Sequence, residues 1–193
     1  MKRTIFTILL TYLVITGTCQ TYITKYNPST ENPYGLLNPD APPHTSDYAL
    51  LIGQSMCKSI SRNSEGNWNK DSTNMIWRFK YIMDGLAIQD EIFSDNAPPT
   101  GSIRQYNADS SKWYVTFFNS ANVSPNPPVW HGNMESNEIV LYKKQKAPNG
   151  TDGFYRITYE NVSNEGFDWR MEWLNKEETF TYTVGKTFCV KLE

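Results

Sequence analysis

Three carboxylates, Asp84, Asp90 and Glu91, cluster around Gly85 and have the chemistry of an acid/base set or an oxygen-ligand site. A plainer reading is stronger. Asp84-Gly85 is a tight-turn pair in which glycine takes positive φ, and Asp90 and Glu91 point to opposite faces of one strand, so at most one of them faces inward. Arg104, Arg156, Arg170 and Glu172 lie inside aromatic segments, where a charge must either be paired or receive an anionic or polar ligand group. Arg170 and Glu172 share the face opposite Trp169, Met171 and Trp173; that face is either a cavity or the solvent side. Trp77, Trp113, Trp130 and Trp169 offer flat apolar area with a polar tip, as a pocket wall does, and as ordinary core they would look the same.

The histidines are His44, in a polar segment where a surface role is the common one, and His131. The latter is the sole candidate in the folded region for a proton relay or haem ligand, although a lone histidine is more often a loop or core residue. It follows the loop Pro125-Asn126-Pro127-Pro128, which could form a lid over a pocket mouth. The chain has no Cys/His metal cluster, Gly-rich phosphate loop or Gly-x-Ser-x-Gly elbow, so neither a metal site nor a cofactor is expected and standard hydrolase mechanisms lack their parts.

The elements that must position these groups read as strands. Met75, Trp77, Phe79, Tyr81 and Met83 alternate with Arg78 and Lys80, and the same period of two recurs at Trp113/Val115/Phe117, Tyr155/Ile157/Tyr159, Phe167/Trp169/Met171/Trp173, Phe180/Tyr182/Val184 and Phe188/Val190/Leu192. Turn clusters separate them, and no long helical stretch survives this spacing. Short strands joined by short connections close most simply as an all-β, antiparallel up-and-down barrel, which removes the edges an aromatic flat sheet would expose. If Cys57 lies on the first strand and Cys189 on the last, closure makes them neighbours able to bond; the alternative is two buried thiols.

Residues 1–19 read as a signal peptide: Lys2-Arg3, an apolar run from Ile5 to Ile15, then Thr16-Gly17-Thr18. The run is shorter than the about 20 apolar residues that cross a bilayer, so no transmembrane segment is expected and the protein is read as exported, secreted or periplasmic. Cys19 allows a minority reading as a lipid anchor. Residues 20–47, punctuated by Pro28, Pro33, Pro39, Pro42 and Pro43, are expected to be an extended arm that contributes little to the core, and residues 48–193 to be the barrel. The 193-residue chain carries 18 Lys+Arg against 20 Asp+Glu; losing Lys2 and Arg3 moves its net charge from −2 to −4, which argues against nucleic acid as a partner. Sequons begin at Asn122, Asn149 and Asn161.

Asn38-Pro39-Asp40-Ala41-Pro42-Pro43, Leu50-Leu51-Ile52-Gly53 and the run from Tyr81 to Glu91, with Ile103-Arg104-Gln105-Tyr106-Asn107, Trp113 and Phe167-Asp168-Trp169-Arg170-Met171-Glu172, resemble a family of exported lipocalin-like domains of unassigned function. The resemblance covers about residues 38–193. It implies a calyx barrel of about ten strands, distantly similar to lipocalins and nitrobindin-like haem barrels. The lipocalin-type Gly-x-Trp would need tryptophan where this chain has Ser55, and the similar haem barrels use a histidine later than any present here. The expected function is binding of a small apolar or amphipathic molecule, with Arg104, Tyr106, Trp113, Trp130 and Trp169 as candidate ligand-binding residues, Trp169 as wall and Arg104 as polar anchor near a barrel rim. Two alternatives remain: a calyx-type isomerase, cyclase or lyase, and a surface interaction module with a filled barrel.

Overall fold

The structure, a computed structural model, describes residues 24–192. The signal peptide reading and the lipid anchor at Cys19 lie outside the described residues. Ten antiparallel strands form one closed up-and-down barrel, as expected from the period-two pattern: β1 Gly53–Ser61, β2 Thr73–Ile82, β3 Ala87–Ser94, β4 Ala97–Asn107, β5 Lys112–Asn119, β6 Val129–Glu135, β7 Glu138–Lys144, β8 Gly153–Glu160, β9 Gly166–Asn175 and β10 Thr181–Lys191. Each strand pairs with its sequence neighbours, and β1 pairs with β10 to close the ring. In that seam Cys57 lies directly opposite Cys189, the Cα atoms are 4.1 Å apart, and the two are joined by a disulfide. Closure removes the two exposed edges that a flat sheet of these strands would have.

Alternation assigns the faces. Cys57, Trp77, Phe79, Ile88, Val115, Leu141, Tyr159 and Phe167 point inward and are buried. The charged residues that alternate with them, such as Arg78, Lys80, Glu91 and Lys186, line the outside. Strand direction then distinguishes the two ends. The β2–β3, β4–β5, β6–β7 and β8–β9 turns lie at one end; the loop 120–128 and the other long connections lie at the opposite end.

The segment before β1 departs from the sequence expectation. Pro43–Leu51 forms a 3-10 helix, so the boundary drawn between residues 47 and 48 falls inside it and residues 43–47 are helical instead of extended. The reason is a period that proline spacing conceals. Thr45, Tyr48 and Leu51 recur every third residue, which stacks them on one face of a 3-10 turn, and all three are buried at the end of the barrel where the short turns lie. The Tyr48 ring meets Trp113 edge-on at 4.8 Å, and the Trp113 indole N–H donates to Asp47 at 3.0 Å. The helix thus stoppers that end.

Upstream, the arm is held to the β2–β3 turn by hydrogen bonds between backbone and side-chain groups. Tyr26 N–H donates to the Asp84 carboxylate at 2.7 Å, Asp84 N–H to the Asn27 side chain at 2.7 Å, and Asn38 Nδ2 to Asp84 C=O at 3.0 Å. Asp84 therefore shapes a turn, and Gly85 (φ 79°) is required there because a Cβ would sit 2.4 Å from Leu36 C=O and 2.5 Å from Asn38 N.

Two expectations follow. The disulfide joins residues 132 apart in sequence, so replacing Cys57 and Cys189 by alanine should lower the unfolding free energy extrapolated to water by about 4 kcal/mol in urea titration, with the m-value rising as the unfolded chain loses its cross-link. Asp47→Ala strips the buried Trp113 donor of its acceptor and should cost about 1–3 kcal/mol in the same assay; no loss would show that the 3-10 helix does not seal the barrel.

Candidate functional site

Above the stoppered end the barrel is hollow. A cavity of about 410 Å³ is lined by Trp77, Trp130, Leu141, Tyr155, Ile157, Trp169 and Met171, with Ser102 and Thr100 as neutral polar members. Its volume lies within the range of small-molecule sites, and its wall is mostly aromatic and aliphatic. A recess of about 620 Å³ between β3–β5 and the loop 120–128 also exists, but outward residues such as Gln89, Glu91, Ile103 and Phe118 contribute to it, which places it on the outer wall.

The cavity floor is a buried polar network. Arg104 from β4 and Asp90 from β3 are each 2% exposed, and an Arg104 Nη2 lies 2.9 Å from an Asp90 carboxylate oxygen. That same nitrogen donates to the Tyr159 hydroxyl at 2.9 Å, while the Trp77 indole N–H donates to the second Asp90 oxygen at 2.8 Å. The remaining Arg104 nitrogens have no hydrogen-bond partner, and the guanidinium lies instead over the rings of Tyr48, Phe79 and Tyr159 at 5.1, 5.3 and 5.7 Å from their centroids. Burial works against the Arg104 charge, but Asp90 first and Tyr159 second outweigh it, so the guanidinium is held above its ordinary range. Burial pushes the Tyr48 and Tyr159 hydroxyls well above the usual phenol range. Arg104, Tyr48 and Tyr159 are thus all shifted away from the neutral range, and none of the three is poised to exchange a proton there.

The candidate residues separate into two groups. Arg104, Trp130 and Trp169 border the cavity. Tyr106 and Trp113 lie below its floor: Tyr106 stacks on His44 at 4.7 Å and meets Trp113 at 5.6 Å, both within the packing around the 3-10 helix. Arg104 is placed deep instead of at a rim, because β4 descends from Gly101-Ser102 toward the stoppered end. Asp90 points inward and Glu91 outward, where Glu91 meets Lys80 at 3.3 Å. His131 falls on the outer wall opposite Tyr114 and Tyr142, so it reaches neither the cavity nor a ligand within it. Burial, followed by Lys112 and Lys144, lowers its pKa.

Arg156, Arg170 and Glu172 also face outward. Glu172 accepts from Arg156 at 2.8 Å and lies 3.0 Å from Arg170, which in turn pairs with Glu160. Burial would raise the Glu172 carboxyl, but the hydrogen bonds from Arg156 and the charge of the adjacent Arg170 hold it below its ordinary range. This cluster braces β8 against β9 on the surface. Among the described residues no group of three or more His, Cys, Asp or Glu side chains is arranged to hold a metal.

Sequence reading did not find the Asp90–Arg104 pairing or the inward Lys143, which borders the upper cavity. The pair spans two strands, and only the register Ile88↔Arg104 and Asp90↔Ser102 brings the two side chains together.

No family model matches the chain, and no curated protein matches its sequence. Among solved structures the chain is similar to the S-type phycobiliprotein lyase from Guillardia theta, at 11% identity and a TM-score of 0.49, over 76% of this chain and 90% of that one.

A test of the floor follows from the cost of an unpaired buried charge. Asp90→Ala leaves Arg104 uncompensated and should destabilise the barrel by about 3–5 kcal/mol in urea unfolding, whereas Asp90→Leu combined with Arg104→Met should recover most of that loss. Equal losses in both variants would mean that packing volume, not charge, dominates at this position.

Proposed function

We propose that this chain is an exported lipocalin-like protein that binds a small, largely apolar molecule inside its barrel. The observation that supports this most is the asymmetric interior: one end is stoppered by Thr45, Tyr48 and Leu51, and the space above Arg104 is left unfilled and walled by Trp77, Trp130 and Trp169. A core meant only for stability would be filled, since unfilled apolar space forfeits contacts on every side. A guest of matching size regains them. In this reading Trp130 and Trp169 are walls, Arg104 fixes the floor, and Tyr106 and Trp113 act indirectly by holding the stopper.

A calyx-type enzyme would need an acid or base free to exchange protons with the guest. Asp90, Arg104 and Tyr159 are the ionisable groups at the floor, and they are committed to one another. The floor therefore favours binding over proton transfer at that depth of the cavity. Export is supported by the Cys57–Cys189 disulfide, which suits an oxidising compartment. No helix among the described residues is long and apolar enough to cross a membrane.

Ile157 lies on the cavity wall and is partly buried, so a larger side chain there occupies the guest's space with little change to the barrel's ladder. Ile157→Trp should weaken binding of a neutral apolar fluorophore by about tenfold or more while keeping the parent's circular dichroism and melting behaviour. If parent and variant enhance the fluorophore equally, the dye sits elsewhere and the interior is not the binding site.

A further inference from the structure

The cavity wall carries three charged side chains, Asp90, Arg104 and Lys143, and the first two neutralise each other at the floor. Lys143 is different. It lies on β7 in phase with the buried Ile139 and Leu141, so it points inward, and it sits near the β7 terminus that lies at the open end. No carboxylate of the described residues comes within 4 Å of its ammonium group. Its Nζ lies 5.3 Å from the Trp130 ring centroid and 5.4 Å from that of Tyr155, two rings that stack on each other at 6.4 Å and 28°. Stacking fixes the rings, and the rings fix the ammonium over the cavity. The interior therefore holds one uncompensated positive charge, placed at its mouth above an apolar shaft.

We propose that Lys143 is the head-group anchor of this site and that the ligand class is a monoanionic amphiphile, such as a fatty carboxylate, bound head-up with its tail toward Trp77 and Trp169. This deepens the cavity-binding reading and rests on it. The charge inventory determines the class. A neutral guest would leave the ammonium facing an apolar molecule without a counter-ion, a cationic guest would be repelled, and a dianion would bring one unneutralised charge into a low-dielectric shaft. A single negative charge balances the interior, and the mouth position lets the head keep part of its hydration. Arg104 cannot serve the same role, because a second carboxylate beside it would have to compete with Asp90.

The test compares three probes of one chain length, dodecanoate, 1-dodecanol and dodecylamine, titrated into the purified protein at neutral pH and low salt and read by intrinsic tryptophan fluorescence. The parent should bind dodecanoate about tenfold more tightly than dodecanol, with dodecylamine weakest. Lys143→Met and Lys143→Gln should abolish the preference for the acid, read as the ratio of acid to alcohol affinity within each variant, and Lys143→Arg should retain the preference. Equal binding of acid and alcohol by the parent, or an acid preference that survives both neutral variants, overturns the anchor assignment while alcohol binding still upholds the cavity reading. Failure of all three probes to bind overturns both. The parent's ranking of the probes stands as a test even if a variant does not fold.

Discussion

The constraint on which the rest of this structure depends is the removal of the Arg104–Asp90 pair from water. Two charges at 2% exposure lose hydration that their mutual attraction recovers only when geometry and further hydrogen bonds are supplied. Trp77 and Tyr159 supply those bonds from β2 and β8, and Tyr48 and Phe79 supply ring faces. The pair therefore requires partners from both sides of the ring and from the 3-10 helix. A slip of β3 against β4 by one residue would turn Asp90 outward and leave Arg104 buried alone, so the pair also penalises misregistered barrels.

The same network divides the barrel. Below it, Tyr48, Trp113 and Tyr106 pack edge to face and His44 covers Tyr106, leaving the stoppered end filled. Above it, the wall continues in tryptophan and tyrosine around a space of about 410 Å³. The lower half concentrates the rigid contacts that let the upper half stay hollow. The disulfide between Cys57 and Cys189 contributes at the seam, the pairing most distant in sequence and hence the most costly to close by chain entropy.

Much of this was legible in the residues, for identifiable reasons. The strands showed themselves because aromatic residues alternate with charged ones, as in Trp77-Arg78-Phe79-Lys80, and a two-residue period has one structural meaning. The 3-10 helix did not, because its three-residue period spans only Thr45, Tyr48 and Leu51 and begins inside a proline-rich segment. Lys143 escaped notice for a different cause: Ile139-Val140-Leu141-Tyr142 is apolar on both faces, so nothing local says which parity faces inward. Trp169 and Arg170 fall on opposite faces by alternation, and Trp169, expected as a wall, does border the cavity; the β8–β9 and β9–β10 pairings are what fix its parity. Depth was also hidden. Gly101-Ser102 beside Arg104 suggests a rim, and only the direction of β4 shows that three residues of descent carry the side chain to the floor.

The two inward cations show how position decides what a charge can do. Arg104 is fully enclosed, and its planar fork is divided among a carboxylate, a hydroxyl and three ring faces, an arrangement that suits a group which must never change state. Lys143 is a compact ammonium on a flexible stem, half-buried, with only ring faces beside it. Cation–π contact stabilises such a charge without consuming its hydrogen-bond donors, which remain free for an acceptor arriving from outside. Among the described residues a carboxylate lines the cavity at the floor and none at the mouth, which gives the shaft a polarity: charge-balanced below, singly positive above. That gradient, more than any one contact, orients an amphiphile on entering, because reversing it would place an unneutralised head among Trp77, Trp169 and Met171.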